Sequence, residues 1–147
     1  MPNLRAAART LGVQFQILNA SSPGELDDVL RALQQKPPEA LLVAPVAFYL
    51  SYGTSIAEAA RRSRIATMGG YRDFVTDGGM ASYGPDLKRI GSLMAEYVGK
   101  ILKGANPAEL PIEQVSTYEL VINRRVAHEL GVDLPQEILF RADEVMQ

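Results

Sequence analysis

The sequence alternates short apolar segments with amphipathic helical patterns, and this alternation restricts the possible folds more than any other feature. Residues 40–44 form a continuous apolar run between Pro38 and Pro45. Such a run is typical of a parallel strand that is covered on both faces. Further strands are predicted over residues 13–18, 65–68, 80–83 and 118–122. Helices between short strands indicate βαβ units. We therefore predict an α/β fold with a parallel, doubly wound (Rossmann-like) sheet and helices on both faces.

The predicted helices carry recognisable start and end signals. Ser22, Pro23 and Glu25 combine a capping hydroxyl, a proline in the first turn and a glutamate three residues on. Asp86 and Asn123 are each placed to cap a following helix. Helices are predicted over residues 4–11, 54–64 and 71–75. Three more begin at capping residues: one runs from Ser22 to before Pro37, one from Asp86 to about Lys103, and one from Asn123 to Gly131. One or two helical turns are predicted within residues 134–147.

Composition excludes several classes of function. The net charge is -2, which argues against nucleic-acid binding through phosphate neutralisation. The sequence has no cysteine, which excludes disulfides, thiol catalysis and thiolate metal sites. No apolar run is long enough to span a membrane, and the first residues have no apolar signal core.

Patterns that would indicate catalysis or a cofactor are absent from the sequence. His128 is the one histidine, and it lies in a polar stretch where a solvated side chain is expected. The glycine pairs at 69–70 and 78–79 match neither a dinucleotide fingerprint nor a phosphate-binding loop, so they indicate turns. We predict no catalytic residue, no metal site and no cofactor, and hence a protein that is not an enzyme.

The segments that follow three predicted strands are the candidate binding site, because ligands of open α/β sheets bind outside the carboxyl ends of the strands. Aromatic side chains supply flat apolar area there, and Arg72 and Asp86 could hold a carboxylate and an ammonium. Each residue also has a structural interpretation: Phe48 as core, Arg72 as the partner of Asp73, Asp86 as a helix cap. The candidates are Val46, Ala47, Phe48, Gly70, Tyr71, Arg72, Tyr83 and Asp86.

Four stretches together resemble the ABC-transporter substrate-binding proteins of the tryptophan/tyrosine-uptake type, which have the type I periplasmic-binding-protein fold. They are Gly-Tyr-Arg-Asp-Phe-Val with Asp-Gly-Gly-Met-Ala-Ser-Tyr-Gly (residues 70–84), residues 99–111, residues 119–123 and residues 141–145. Their order and spacing match along essentially the whole chain. Lys-Gly-x-x-Pro alone would not be specific.

The resemblance implies two α/β lobes that close on a small molecule, and a permease as partner. It is to the second part of such a protein only, so we expect a truncated form that lacks the first lobe, the leader and the opening strand of the second lobe. By analogy, residues 1–79 and 112–147 are second-lobe-like, and residues 80–111 cross back towards the first lobe. The resemblance places ligand contacts at Val46, Ala47, Phe48, Gly70, Tyr71, Tyr83 and Asp86.

Two further expectations follow from the resemblance. Amino-acid binders of this type carry polar residues after the proline that matches Pro45, whereas residues 46–48 are apolar here, which fits an aromatic or apolar ligand. The family is periplasmic or extracellular, although this sequence would also be compatible with a cytoplasmic fragment. Two alternatives stay open: a flavodoxin-like enzyme or cofactor-binding domain, and a dimerising interaction domain without a ligand.

The long helix after Asp86 would lack its usual sheet in such a form. Its apolar stripe needs burial, since exposing each side chain forgoes about 1.5–3 kcal/mol. We predict that the stripe is hidden in a homodimer, with or without a swap of this helix, or is repacked on the chain's own sheet. The stripe is Leu87, Ile90, Met94, Tyr97, Val98 and Ile101.

Overall fold

The computed structural model describes residues 2–113 and 116–147, so Met1 of the expected 1–79 segment and residues 114 and 115 of the expected 112–147 segment lie outside the described residues. The helices are α1 (Pro2–Thr10), α2 (Pro23–Gln35), α3 (Ala47–Ser51), α4 (Gly53–Arg62), α5 (Arg72–Thr76), α6 (Leu87–Leu102), α7 (Arg124–Leu130) and α8 (Gln136–Arg141). The strands are β1 (Ala40–Leu42), β2 (Ala66–Gly69), β3 (Ala81–Pro85), β4 (Tyr118–Asn123) and β5 (Glu144–Met146).

The strands form one five-stranded sheet in the order β1-β2-β3-β4-β5. Three of the four pairings are parallel, as predicted for an α/β fold, and the prediction of fold class is confirmed. The exception is β4, which runs antiparallel to β3 with Pro85 opposite Tyr118. The chain therefore leaves β3 and re-enters the sheet at β4 from the same end.

The predicted helix signals act as expected. Ser22 accepts a hydrogen bond from the Glu25 amide, and the Glu25 carboxylate accepts one from the Ser21 amide at 2.8 Å. This pairing satisfies two amides at the start of α2, and the hydrogen bonds from Ser21 hold the pKa of Glu25 below its ordinary value. The Asp86 carboxylate caps α6, and Asn123 caps α7 through the Val126 amide.

Two apolar clusters between the helices and the sheet form the core at the β1–β2 side. One contains Leu26, Ile56, Ala57 and Phe74, and the other contains Leu33, Ala60 and Ile65. Helix α2 contributes one buried residue to each cluster, Leu26 to the first and Leu33 to the second. Burying each large aliphatic side chain contributes about 1.5–3 kcal/mol, so these contacts fix α2 and α4 against β1 and β2.

The strand predicted over residues 13–18 is wrong. These residues belong to no strand, and Val13 and Phe15 are exposed. A segment becomes a strand only when it pairs with another strand edge, and here an open groove lies between Phe15, Ile17 and Leu18 on one side and β1 on the other. The Val13 amide at the start of the segment donates to the Ala8 carbonyl, and two residues beyond its end the Ala20 amide donates to the Tyr49 hydroxyl.

Helix α6 projects from the sheet without being buried anywhere along its length. The side chains of Met94 and Val98 are 64% and 55% exposed, so the predicted repacking of this stripe on the chain's own sheet does not occur. Ile90 and Tyr97 are half-buried, and the Tyr97 hydroxyl donates to the Pro111 carbonyl. No helix among the described residues is long and apolar enough to cross a membrane.

Candidate functional site

Three residues at the carboxyl ends of β1, β2 and β3 pack so closely that larger side chains would not fit. A Cβ atom on Gly70 would lie 2.5 Å from the Pro45 side chain, and one on Gly84 would lie 1.8 Å from the Gly70 carbonyl oxygen. Neither distance is possible without movement of the backbone or the proline ring. Pro45, Gly70 and Gly84 therefore form a compact floor at this edge of the sheet.

Two tyrosines stand beside this floor. Tyr83 and Tyr118 lie on adjacent strands with ring centroids 5.7 Å apart and ring planes inclined by 24°. Both side chains are more than half exposed, at 56% and 53%. The pair presents aromatic surface to solvent at the point where a ligand of an α/β sheet would bind.

A large groove of about 860 Å³ joins this edge to the side of the sheet. At one end it is bordered by Pro45, Val46, Gly70, Tyr83 and Tyr118, and along its length by β1 and residues 17–20. No charged side chain is among the described residues that border it. The groove can therefore accept apolar or aromatic groups and offers no counter-ion of its own.

The groove brings together three of the eight predicted site residues: Val46, Gly70 and Tyr83. Ala47 and Phe48 follow Val46 in the chain and form the first turn of α3. Phe48 is half-buried against the first core cluster and contacts the rings of Tyr49 and Tyr52, with centroids 5.5 and 5.0 Å away. Tyr71 is the half-buried N-cap residue of α5. Ala47, Phe48 and Tyr71 do not border the groove in this conformation.

Arg72 forms a bidentate ion pair with Glu144 on β5, with N–O distances of 2.5 and 2.9 Å. The partner suggested by the sequence was Asp73, which is adjacent but does not hold the guanidinium. Bidentate pairing of this kind is geometrically specific, and here it joins α5 to the last strand. Binding of a ligand carboxylate by Arg72 would require the ligand to share the guanidinium with Glu144.

Asp86 caps α6 by accepting hydrogen bonds from the amides of Lys88 and Arg89, at 2.9 and 3.1 Å. Its charge also reaches Glu119 on β4. Burial raises the pKa of Glu119, and the negative charges of Asp86 and Asp143 raise it further, whereas Arg72 and Lys88 lower it. The β3–β4 end of the sheet therefore carries a small group of interacting charges beside the tyrosine pair.

Tyr118 is the residue of this site that sequence reasoning missed. The sequence indicates only that it starts a strand, and a fully parallel sheet would not bring it beside Tyr83. The antiparallel β3–β4 pairing does bring it there. Among the described residues, no group of histidine, cysteine, aspartate and glutamate is arranged to hold a metal ion.

The structure thus has a compact floor and aromatic surface at the carboxyl edge of an α/β sheet, and solved structures share this fold. The chain is similar to an ABC domain in complex with L-Trp from Streptococcus pneumoniae, with 26% identity and a TM-score of 0.87. It is similar to a conserved domain protein from Vibrio cholerae O1 biovar El Tor, with 26% identity and a TM-score of 0.85. Each alignment covers 99% of this chain and 49% of the matched chain.

A third structure shares the fold at lower similarity. It is the ligand-free, open form of a substrate-binding protein with adhesive properties from Clostridium difficile, with 18% identity and a TM-score of 0.67. The alignment covers 99% of this chain and 48% of that one. The chain thus spans about half the length of these solved structures. Comparison with curated proteins gave no match.

The sequence profile of one family, described as ABC transporter substrate binding protein, matches residues 1–146. The chain belongs to this family, as the resemblance in the sequence predicted.

Proposed function

We propose that the chain binds a small molecule as one lobe of the solute-binding component of an ABC uptake transporter and performs no chemistry on it. The single observation that supports this most is the Tyr83–Tyr118 pair beside the groove at the carboxyl edge of the sheet. The family assignment gives the transport context. Under this proposal residues 1–79 and 112–147 serve as the second lobe, and residues 80–111 lead to the first.

An aromatic or apolar ligand fits the site best. Aromatic rings bind well to other rings in offset or edge-on arrangements, which contribute about 0.5–1.5 kcal/mol beyond the buried area. The uncharged lining of the groove would leave a ligand ammonium or carboxylate unpaired there. A matched structure holds L-Trp, which supplies an aromatic ring together with two charges. If such a ligand binds, its charged end would extend towards Asp86 and Arg72 rather than into the groove.

We expect weak binding by the chain alone. In a two-lobed binding protein, affinity depends on closure of both lobes around the ligand. This chain presents one surface of such a cleft, so much of a bound ligand would stay in contact with water. Addition of the complementary lobe should therefore strengthen binding.

Titration calorimetry or NMR chemical-shift mapping with L-Trp and indole would test the proposal. Tyr83→Ala and Tyr118→Ala should each weaken binding about tenfold, the equivalent of roughly 1.4 kcal/mol, because each removes one ring of the pair. Tyr97→Ala on α6 is the matched control, since Tyr97 does not border the groove. Equal affinity in all four proteins would contradict the proposal. Binding of a flavin or nucleotide with turnover that depends on Arg72 or Asp86 would favour an enzyme instead.

Two partners and a location complete the proposal. The permease of the transporter is the expected protein partner, and the site of action is the periplasm or cell exterior. A second copy of this chain is proposed to cover the exposed stripe of α6, since Met94 and Val98 are otherwise in solvent.

A further inference from the structure

The strand β5 joins the sheet at the end where the candidate site lies. It pairs with β4 in parallel, with Glu144 opposite Val121. Asp143, the residue just before β5, lies beside Leu120, which is two residues after Tyr118. The chain therefore enters β5 close to the tyrosine pair, although the residues of β5, all of them described, lie outside the groove.

Asp143 holds the start of β4 at two points. Its amide donates to the Leu120 carbonyl at 2.9 Å, and its carboxylate accepts a hydrogen bond from the Leu120 amide at 2.8 Å. One residue thus satisfies both main-chain groups of Leu120. Hydrogen bonds to a carboxylate are stronger than those between neutral groups, so Asp143 fixes the main chain two residues from the Tyr118 ring.

Glu144 holds the segment that follows β2. Its carboxylate accepts two hydrogen bonds from the guanidinium of Arg72, which lies two residues after Gly70. The ion pair spans two strands, because β3 and β4 lie between β2 and β5 and α5 packs on both. Ser82 and Val121 occupy the same row of the sheet as Glu144, and both are buried. The last strand is thereby linked to the floor of the site.

Local structure does little to fix the start of α5. The helix has five residues, which is too short for a stable helix by itself. Its N-cap residue Tyr71 makes no side-chain cap hydrogen bond, and its buried residues, Phe74 and Val75, lie towards its other end. The ion pair of Arg72 is therefore the contact that holds the start of α5, and with it the preceding Gly70, in place.

We propose that Asp143 and Glu144 are positioning residues of the ligand site, an inference that rests on the proposed function. We call these two residues the edge clamp. Through β4 the edge clamp holds the tyrosine pair, and through the ion pair of Arg72 it holds the floor. Because the two residues are consecutive, their contacts fix the floor and the aromatic surface relative to each other. Neither residue of the edge clamp touches the ligand under this proposal.

A role in the stability of the whole fold would have different consequences. The side chains of Arg72 and Glu144 are 27% and 44% exposed, and ion pairs with such exposure contribute little to the free energy of unfolding. The two core clusters lie at the β1–β2 side, away from β5. Loss of the edge clamp should therefore disturb the site while the core stays folded.

NMR of the free protein tests the ion-pair half of the edge clamp. Glu144→Gln should shift and broaden the amide signal of Gly70, because the start of α5 is released. The amide of Ile65, which is fully buried and hydrogen-bonded to Ala60, should keep its slow hydrogen exchange and so report that the core is intact.

The hydrogen-bonding half is tested by a pair of substitutions at one position. Asp143→Ala removes the oxygen that accepts from the Leu120 amide, so the ring signals of Tyr83 and Tyr118 should change as the start of β4 moves. Asp143→Asn keeps an oxygen acceptor of the same length and should restore the wild-type ring signals. This rescue separates the hydrogen bond from the charge of the side chain.

Binding of indole tests the effect on the site, and indole carries no charge that Arg72 could contact directly. Glu144→Gln and Asp143→Ala should each weaken indole binding about fivefold. Arg72→Gln combined with Glu144→Gln should bind no more weakly than Glu144→Gln alone, because both substitutions break the same pair. Glu58→Gln is the matched control: it breaks the ion pair with Arg62 on α4 and should leave the affinity unchanged.

Several results would overturn the proposal. Unchanged signals of Gly70 and Tyr118 in the respective variants would show that the edge clamp positions neither part of the site. Faster exchange at Ile65 in step with the loss of affinity would show that Asp143 and Glu144 support the whole fold instead. An equal loss in Glu58→Gln would have the same consequence for Glu144.

Failure of this proposal is distinguishable from failure of the proposed function. The signals of Gly70 and Tyr118 are measured without ligand, so they decide whether the edge clamp acts even when indole does not bind. Absence of binding to the wild type together with shifted signals would contradict the proposed function alone. Normal binding together with unchanged signals would contradict the edge clamp alone.

Discussion

At the scale of single residues, the carboxyl edge of the sheet depends on the absence of side chains. Gly84 lies against the Gly70 carbonyl, and Gly70 lies against the ring of Pro45. Interiors are packed so densely that even one added methyl group must displace its neighbours. The approach of the three strand ends therefore requires glycine at these positions for reasons of space.

Gly84→Ala should destabilise the fold by about 1–3 kcal/mol, because the new Cβ would overlap the Gly70 carbonyl oxygen. Urea denaturation followed by circular dichroism would measure the loss. Gly91→Ala is the control, since a Cβ there meets nothing within 4 Å in the middle of α6. Alanine should raise helix stability by up to about 1 kcal/mol at that position. Equal changes in the free energy of unfolding for the two substitutions would contradict close packing of Gly84 against the Gly70 carbonyl.

Glu119 is the carboxylate whose ionisation should oppose folding. Burial and the charges of Asp86 and Asp143 raise its pKa in the folded state above the ordinary value of 4.5. The folded state therefore binds the proton more tightly than the unfolded state does. The stability of the protein should fall as the pH rises from about 4.5 through the raised pKa.

Glu119→Gln should remove this decline. At pH 7 the variant should be more stable than the wild type, by less than about 1 kcal/mol because the site is partly exposed. At about pH 3.5 and below the two proteins should be nearly alike, because Glu119 is then largely protonated in both the folded and the unfolded state of the wild type. Urea midpoints at pH 7 and about pH 3.5 provide the measurement, with Glu96→Gln on α6 as an exposed control. A stability difference that persists at about pH 3.5 would indicate a packing effect instead.

At the scale of elements, local sequence signals predicted the helices better than the strands. The predicted helix over 54–64 is α4, and the caps at Ser22, Asp86 and Asn123 are where they were expected. A capping side chain acts within a few residues of itself, so its pattern can be interpreted locally. The missed helix α3 begins at Ala47, and its N-cap residue Val46 has no side chain that can cap it, so the sequence contains no start signal there.

Strand pairing depends on distant residues, and sequence patterns predicted it less completely. Residues 13–18 have the composition of a strand, but no strand lies beside them among the described residues. β5 was not predicted, because its three residues pair with β4 from within the tail. The antiparallel direction of β4 was also missed, and with it the position of Tyr118.

The candidate site was predictable to the extent that it follows from topology. Strand ends identified Val46, Gly70 and Tyr83, which border one groove. The ion pair of Arg72 was not predictable, since its partner Glu144 is 72 residues away in the sequence. The ligand roles of all eight candidate residues, including Val46, Gly70 and Tyr83, remain predictions.

The exposed stripe of α6 leads to a prediction about association. Leu87, Met94, Val98 and Ile101 are spaced at seven, four and three residues, which places them on one side of the helix. We expect a dimer in analytical ultracentrifugation, and Met94→Lys with Val98→Lys should shift it to monomer. Ser92→Lys adds one positive charge on a different side of α6 and should leave the dimer intact, and Met94→Lys alone, which also adds one, should weaken it. A wild-type monomer at high concentration would contradict dimerisation.

At the scale of the whole molecule, residues 86–117 form an excursion whose two ends meet. Pro85 is opposite Tyr118 in the β3–β4 ladder, and the Asp86 amide donates to the Thr117 carbonyl. Helix α6 has no buried residue. The described part of the excursion thus contributes little to the core on which the sheet depends.

Replacement of residues 86–117 by Asn-Gly should therefore leave a folded sheet. Asn-Gly favours the tight turn that joins two antiparallel strands, and β3 and β4 already stand in that relation. Hydrogen exchange at Val121 and Ile122 should remain as slow as in the intact chain. Pro-Pro in place of Asn-Gly is the control and should disrupt the hairpin. Loss of protection in the Asn-Gly protein would show that α6 supports the sheet after all.

The chain leaves the sheet after Pro85 and returns at Tyr118, and these two points are adjacent. Their adjacency limits how residues 86–117, and anything attached to them, can move relative to the sheet. Sliding along the strand direction would break the pairing of Gly84 with Glu119, whereas a swing about the line through Pro85 and Tyr118 changes only a few backbone torsions. A body carried on residues 86–117 should consequently open and shut by rotation rather than by shear.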